Sequence, residues 1–393
     1  MSFTLDPSVT FLNHGSFGAV PRPVREHAAA LRERQERDPV HFFLDELEPL
    51  LDETRASVAE LVGARASDLV LVPNATTGAN TVLASLAFFP GDEILVTNHG
   101  YNAVSNAARR WAARSGARVV VANIPFPIGD ASLVLPAILG QISPRTRLAI
   151  IDHVTSPTGL VLPIDAIVRA LDDRGIDVLV DGAHGPGMLP LALDELGAAY
   201  YTGNFHKWIC APRGAAFLHV RRDRQALVQP LVTSHGFNSR RATRSRYLIE
   251  ADWTGTVDPT SILSVPAAIS FLNSQPGGLN AVMAKNRALA LSARRTLAAA
   301  LGATLPCPDD MVGSLAAVPL PDATGEPPAP RFLYADPLHN ALYERHHIQV
   351  PILSFPRWPH RYVRVSAHLY NEPAHYEALA RALLTELSKN EKI

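Results

Sequence analysis

The segment Ile176-Asp-Val-Leu-Val-Asp181-Gly-Ala-His184 decides the fold. It is a short apolar run that stops at a carboxylate and turns on a glycine. Its centre, Val178-Leu179-Val180, is apolar throughout rather than alternating, as in a strand covered on both faces. The same kind of run recurs upstream, at Asp68–Pro73, Asp92–Thr97, Ala117–Ala122 and Arg147–Asp152. Helical patterns separate these runs at Ala75–Phe88, Tyr101–Ser115 and Ile164–Arg174. Strand and helix in alternation predict βαβ units and an α/β fold with a mostly parallel sheet. Ligands of such sheets bind beyond the carboxyl ends of the strands, so the residues that follow each strand carry the interest.

The chain has 393 residues, more than one hydrophobic core usually holds, which predicts two domains. Residues 1–20 form an N-terminal segment, 21–265 a large domain and 266–393 a smaller α+β domain. The break is marked by Pro276-Gly277-Gly278. Beyond it lie a helix at Leu279–Leu301, a Pro-rich loop at Pro319–Pro330, a strand at Tyr362–Val365 and a terminal helix at Pro373–Lys389. The formal net charge of −1 excludes a global basic field for nucleic acid. The two cysteines, Cys210 and Cys307, cannot build a disulfide framework and suit the reducing cytoplasm. Neither a signal peptide nor a membrane-spanning run is expected.

Three places carry the chemistry. The turn Pro73-Asn-Ala-Thr-Thr-Gly-Ala-Asn80 follows a strand and opens a helix, so its free N–H groups suit an anion. Thr76 and Thr77 add hydroxyl donors, although an ordinary cap by Asn74 or Thr76 reads equally from the residues. Asp181 ends its strand where a carboxylate reaches a ligand in the crevice, with His184 close behind. Asp152-His153 leaves a metal open as an alternative, but no third ligand accompanies it, and no metal is expected. Lys207, on an expected strand in Tyr201-Thr-Gly-Asn-Phe-His-Lys-Trp208, comes one αβ step after Asp181. A partly desolvated lysine there has a lowered pKa and forms a Schiff base; a lone snorkelling lysine is the plain alternative. The basic run Ser239–Arg246 is either a solvated loop or a rim that draws anionic substrates. Neither a Gly-x-Gly-x-x-Gly nor a Walker motif is present, against a nucleotide-binding reading.

These residues come with others in a set. It comprises Asn13-His-Gly-Ser-Phe-Gly18, Asn74–Gly78, His153-Val-Thr-Ser-Pro-Thr-Gly159, Asp181–His184, His206–Trp208, Trp253-Thr-Gly-Thr256 and Arg364-Val-Ser-Ala-His-Leu-Tyr-Asn371. Over nearly the whole chain the sequence resembles class V aminotransferase-fold enzymes, in their isopenicillin N epimerase-like branch. The resemblance implies the fold type I architecture of pyridoxal 5'-phosphate (PLP) enzymes and a homodimer with shared active sites. Lys207 would hold the cofactor and Asp181 would pair with its pyridine nitrogen, with His184 beside it. Thr76, Thr77 and His206 would bind the phosphate, joined by Thr256 from the partner subunit. Tyr101 would stack on the ring, Arg364 would hold the α-carboxylate of an amino-acid substrate, and Asn13 and His14 would line the pocket.

The implied reaction begins when Lys207 takes the Cα proton. Returning that proton on the opposite face is epimerisation, expelling a β-substituent is C–S lysis, and returning it to the cofactor is transamination. Epimerisation needs a second acid, for which Tyr101, His14 and His99 are the candidates. The cysteine that desulfurases of this class carry upstream of Arg-x-Ser is missing from His347–Phe355, which disfavours a persulfide route.

Overall fold

A computed structural model describes residues 2–331 and 333–390. Met1 and residues 391–393, which close the outer two expected segments, lie outside the described residues. The strands are β1 (Thr10–Phe11), β2 (Leu69–Val72), β3 (Glu93–Thr97), β4 (Arg118–Ala122), β5 (Thr146–Asp152), β6 (Asp177–Asp181), β7 (Tyr200–Asn204) and β8 (Ala216–Val220). Further on come β9 (Leu315–Leu320), β10 (Ile348–Gln349), β11 (Ile352–Ser354) and β12 (Arg361–Ser366).

Strands β2 to β8 build a seven-stranded sheet in the order β2-β8-β7-β6-β5-β3-β4. From β4 to β7 all pairings are parallel, as the alternation predicts. Two features differ from the sequence reading. Lys207 is not on a strand; it lies in the connection after β7, which ends at Asn204. That connection is too short for a crossover, so the chain returns antiparallel as β8, an unexpected strand. Strand β2 then pairs with β8 alone, antiparallel, at the sheet edge.

Antiparallel strands β11-β12-β9 form a second sheet. Helix Gly278–Leu301 packs on β9 and on helix Pro373–Asn390. The expected boundary at 265 falls at the start of helix Val265–Asn273, which touches both helix Leu47–Val62 and the Gly278 helix. The N-terminal segment crosses between the halves. Its β1 pairs in parallel with β10, and Phe3 bridges Pro21. No helix among the described residues is long and apolar enough to cross a membrane.

Candidate active site

The carboxyl ends of β5, β6 and β7 deliver Asp152, Asp181 and Asn204 to one edge of the large sheet. Asn74 caps helix Ala75–Ser85 by accepting from the Thr77 N–H at 2.8 Å, and Asn204 Oδ1 accepts from the Ala75 N–H at 2.9 Å. The helix N-terminus is thereby aimed at the strand ends, with Thr76 in its first turn. Two adjoining cavities open there, of about 160 Å³ and about 220 Å³, and Lys207, Tyr101, Ser16, Phe17 and Ser156 line both. The first also meets Thr76, Asp152, Asp181, His184 and His206; the second opens on Arg364, Tyr334 and Leu353. A larger groove of about 650 Å³ under the N-terminal arm carries none of these groups.

Burial lowers the Lys207 pKa to about 8, although the charge of Asp181 pulls it back up. Its Nζ lies 3.0 Å from His184 Nε2. On its other side His184 Nδ1 accepts from the Trp208 indole N–H at 3.2 Å, so the imidazole proton sits on Nε2 and points at Lys207. Burial also keeps His184 neutral. The amine, once it loses its proton as pH rises through about 8, can accept from this imidazole, and that neutral form of lysine is the one that attacks an aldehyde.

Asp181 is buried and accepts from the Ala183 N–H at 3.0 Å. Its register partner across the parallel pair is Asp152, equally buried. Desolvation raises both carboxyls, and Asp152 rises further because it also feels the charge of Asp181. Two carboxylates side by side in an apolar setting do not both ionise, so Asp152 keeps a proton and Asp181 carries the charge. Asp152 figured in the sequence only as a doubtful metal ligand. Its place opposite Asp181 becomes visible only with the strand register, and its neighbour His153 turns to the Tyr201 hydroxyl at 3.0 Å.

Arg364, on β12, is 3% exposed and meets no carboxylate among the described residues. Its guanidinium donates to the Ser156 carbonyl and, at 3.1 Å, to Ser16 Oγ; its Nε is buried without a partner. Burial lowers its pKa, and the nearby Tyr334 and Tyr101 hydroxyls push it back. A buried cation surrounded by neutral oxygens calls for an anion.

Five expected residues do not line either cavity. Thr77 spends both its N–H and its hydroxyl on Asn74, as a cap. Thr256 stands exposed in the loop before helix Thr260–Leu263, away from the site of its own chain. Asn13 is buried behind Ser16, whose hydroxyl donates to it. His14 is buried under the Lys207 turn, where Nε2 donates to the Lys207 carbonyl at 2.9 Å and Nδ1 accepts from the Tyr370 hydroxyl at 2.7 Å. His99 is likewise spent on the Ile124 carbonyl and Thr158. Neither imidazole is free as a second acid, and of the three candidates only Tyr101 faces the cavity. Three of the four arginines of the basic run are paired with acids: Arg241 with Glu48, Arg244 with Asp52 and Asp252, and Arg246 with Glu250.

Across residues 26–375 the chain matches the family model for class-V aminotransferases. This chain belongs to the class-V aminotransferase family. The class-V chain is 33% identical over 391 residues to isopenicillin N epimerase of Streptomyces clavuligerus, a match that covers 96% of this chain and 95% of that protein. It is 32% identical over 402 residues to a probable chloroplastic L-cysteine desulfhydrase of Arabidopsis thaliana, covering 96% and 83%. Among solved structures it resembles the cysteine desulfurase CsdA of Escherichia coli, with TM-score 0.79 and 21% identity over 99% of this chain and 97% of that one. A C-DES mutant with glycine linked covalently to its PLP cofactor gives TM-score 0.79 and 21% identity over 96% of each chain. These two likenesses show the fold. As a class-V protein the chain is a PLP-dependent enzyme. Its residues fit that cofactor: a buried amine of lowered pKa, the buried Asp181 carboxyl one strand away, and a His206 Nδ1 buried without a partner.

Proposed function

We propose that the chain acts at the α-carbon of an amino acid with an elaborated side chain, as an isopenicillin N epimerase-like enzyme. The observation that carries this reading is a neutral-prone lysine and an uncompensated buried arginine on one cavity wall. An amino acid offers the complement of both, an amine and a carboxylate. The bound cofactor supplies the electron sink. Lys207 holds it and, once freed, takes the Cα proton on Nζ. Asp181 keeps the pyridine nitrogen protonated. Thr76 and His206 hold the phosphate at the helix N-terminus. Tyr101 would stack on the ring and is the candidate acid for the opposite face, while Arg364 would fix the carboxylate and so orient the Cα–H bond toward Lys207.

The second reading is C–S lysis of a cysteine conjugate or its sulfoxide. It is favoured by the desulfhydrase relative and by the fate of the thiols. Cys210 and Cys307 are both buried, and burial raises both thiols. With no thiol lining the cavities, sulfur would leave by elimination rather than through an enzyme persulfide. Residues 21–265 serve as the cofactor-binding domain and 266–393 as the domain that brings Arg364. The chain works as a cytoplasmic homodimer in which Thr256 reaches the partner's phosphate site. Val257, beside it, is exposed, as are Leu44 and Phe237, in keeping with surfaces that a second copy covers.

The deciding experiment incubates the cofactor-loaded enzyme with L-amino acids and S-substituted cysteines in deuterated water. Deuterium at Cα with inverted configuration is expected for epimerisation. Pyruvate with a released thiol or sulfenate would replace that reading with lysis, and a keto acid without either would mean transamination.

A further inference from the structure

The acid–base and cofactor residues leave Tyr334 of the second cavity unused. Tyr334 comes from the irregular stretch between β9 and helix Pro337–His346. It lines the same cavity as Lys207, Tyr101 and Arg364. Its backbone sits at φ 52, in the left-handed region, with a bulky side chain. Such a backbone is strained for a bulky residue and persists where the surroundings impose it, often at ligand sites. The stretch is tied down just after it, where Asp336 caps helix Pro337–His346 through the Leu338 N–H at 2.9 Å.

The direction of the hydrogen bonds around Tyr334 can be worked out. Ser16 has one hydroxyl proton, and it goes to Asn13 Oδ1. Ser16 Oγ accepts from Arg364 Nη2 at 3.1 Å. At the Ser16–Tyr334 contact the donor is therefore the phenol. Tyr334 shares the cavity wall with the Arg364 guanidinium, which meets only Ser156 and Ser16 oxygens and no carboxylate among the described residues. Three segments far apart in the chain thus converge on one anion-sized spot: the N-terminal turn, β12 and the irregular stretch.

We propose that Tyr334 is a specificity-determining substrate residue: its hydroxyl donates to the carboxylate that Arg364 holds, exchanging Ser16 for the ligand. This rests on the amino-acid reading given above and adds to it. A carboxylate bound by Arg364 keeps lone pairs unspent, and the phenol is the neighbouring donor with a proton to give. Ser16 stays as the acceptor that holds the empty site together.

The test is a titration of cofactor-loaded enzyme, followed by the visible cofactor band, with L-alanine and with L-alaninamide, which lacks the carboxylate. A hydrogen bond to a charged group corresponds to about 10–100-fold in Kd. Tyr334→Phe is expected to weaken L-alanine by at least about tenfold and to leave L-alaninamide within about twofold. Ser16→Ala, which disturbs the empty site but not the phenol, is expected to weaken L-alanine less. Thermal unfolding of both variants shows whether each is folded when titrated. Equal affinity of Tyr334→Phe and wild type for L-alanine overturns the proposal. So does an equal loss for both ligands, which marks a packing role, or a wild-type enzyme that holds cofactor yet ignores L-alanine. Protein that takes no cofactor at all would instead sink the functional reading beneath it.

Discussion

At the level of single residues, the site is governed by how few charges it ionises. Lys207 is pushed toward the neutral amine by burial, and Asp152 is kept protonated by burial and by Asp181. The attacking species is the free amine, so recombination of the apoenzyme with PLP should accelerate as pH rises and level off above about 8. Stopped-flow absorbance across pH checks this; a rate still climbing toward the range of an exposed lysine would contradict it. Asp181→Asn removes the negative charge that raises the Lys207 pKa, so the midpoint should move to lower pH. Asp152→Asn replaces one neutral group by another and should leave the midpoint in place. If both substitutions move it equally, the single shared proton is wrong. Lys207→Ala should abolish the borohydride-fixed label that wild type acquires on that residue.

At the level of elements, the lysine turn is clamped from below by the N-terminal segment. Gly18 has φ 69, and a Cβ there would stand 1.9 Å from the His206 carbonyl oxygen. No side chain can yield, because the obstacle is backbone. Gly18→Ala should therefore cost on the order of 3 kcal/mol in chemical denaturation and loosen cofactor retention as well. Asn74→Ala removes only a cap and should cost about 1 kcal/mol. Similar losses for the two variants would mean that the N-terminal segment does not bear on the lysine turn. The contrast also shows what a motif conceals. Asn13-His-Gly-Ser-Phe-Gly18 reads as pocket lining, but Ser16 and Phe17 face the cavity while Asn13, His14 and Gly18 support it from behind.

For the molecule as a whole, the site is a junction. The large sheet brings the carboxylates and the lysine, β12 of the small sheet brings Arg364, and the N-terminal segment is threaded between them through β1 and β10. Thr256 is exposed and lines neither cavity of its own chain, and the proposed shared site has it reach the partner's. Mixing Lys207→Ala chains with Thr256→Ala chains should regenerate one intact site per mixed dimer. Recovery of activity on mixing, with oligomer size followed by light scattering, checks this; a monomer at working concentration, or no recovery, would refute the shared site.

Sequence alone determined the parallel α/β core, because a strand buried on both faces must be continuously apolar and its carboxyl end must meet the ligand. That logic located Asp181, Thr76 and Lys207 before any contact was visible, and the motif set around them carried the cofactor. The antiparallel return of β8, the pairing of Asp152 with Asp181 and the convergence of Ser16, Tyr334 and Arg364 were decided only in the folded chain. Each of these depends on which residues, distant in sequence, lie side by side. Register and packing set that, while local propensity and spacing are blind to it.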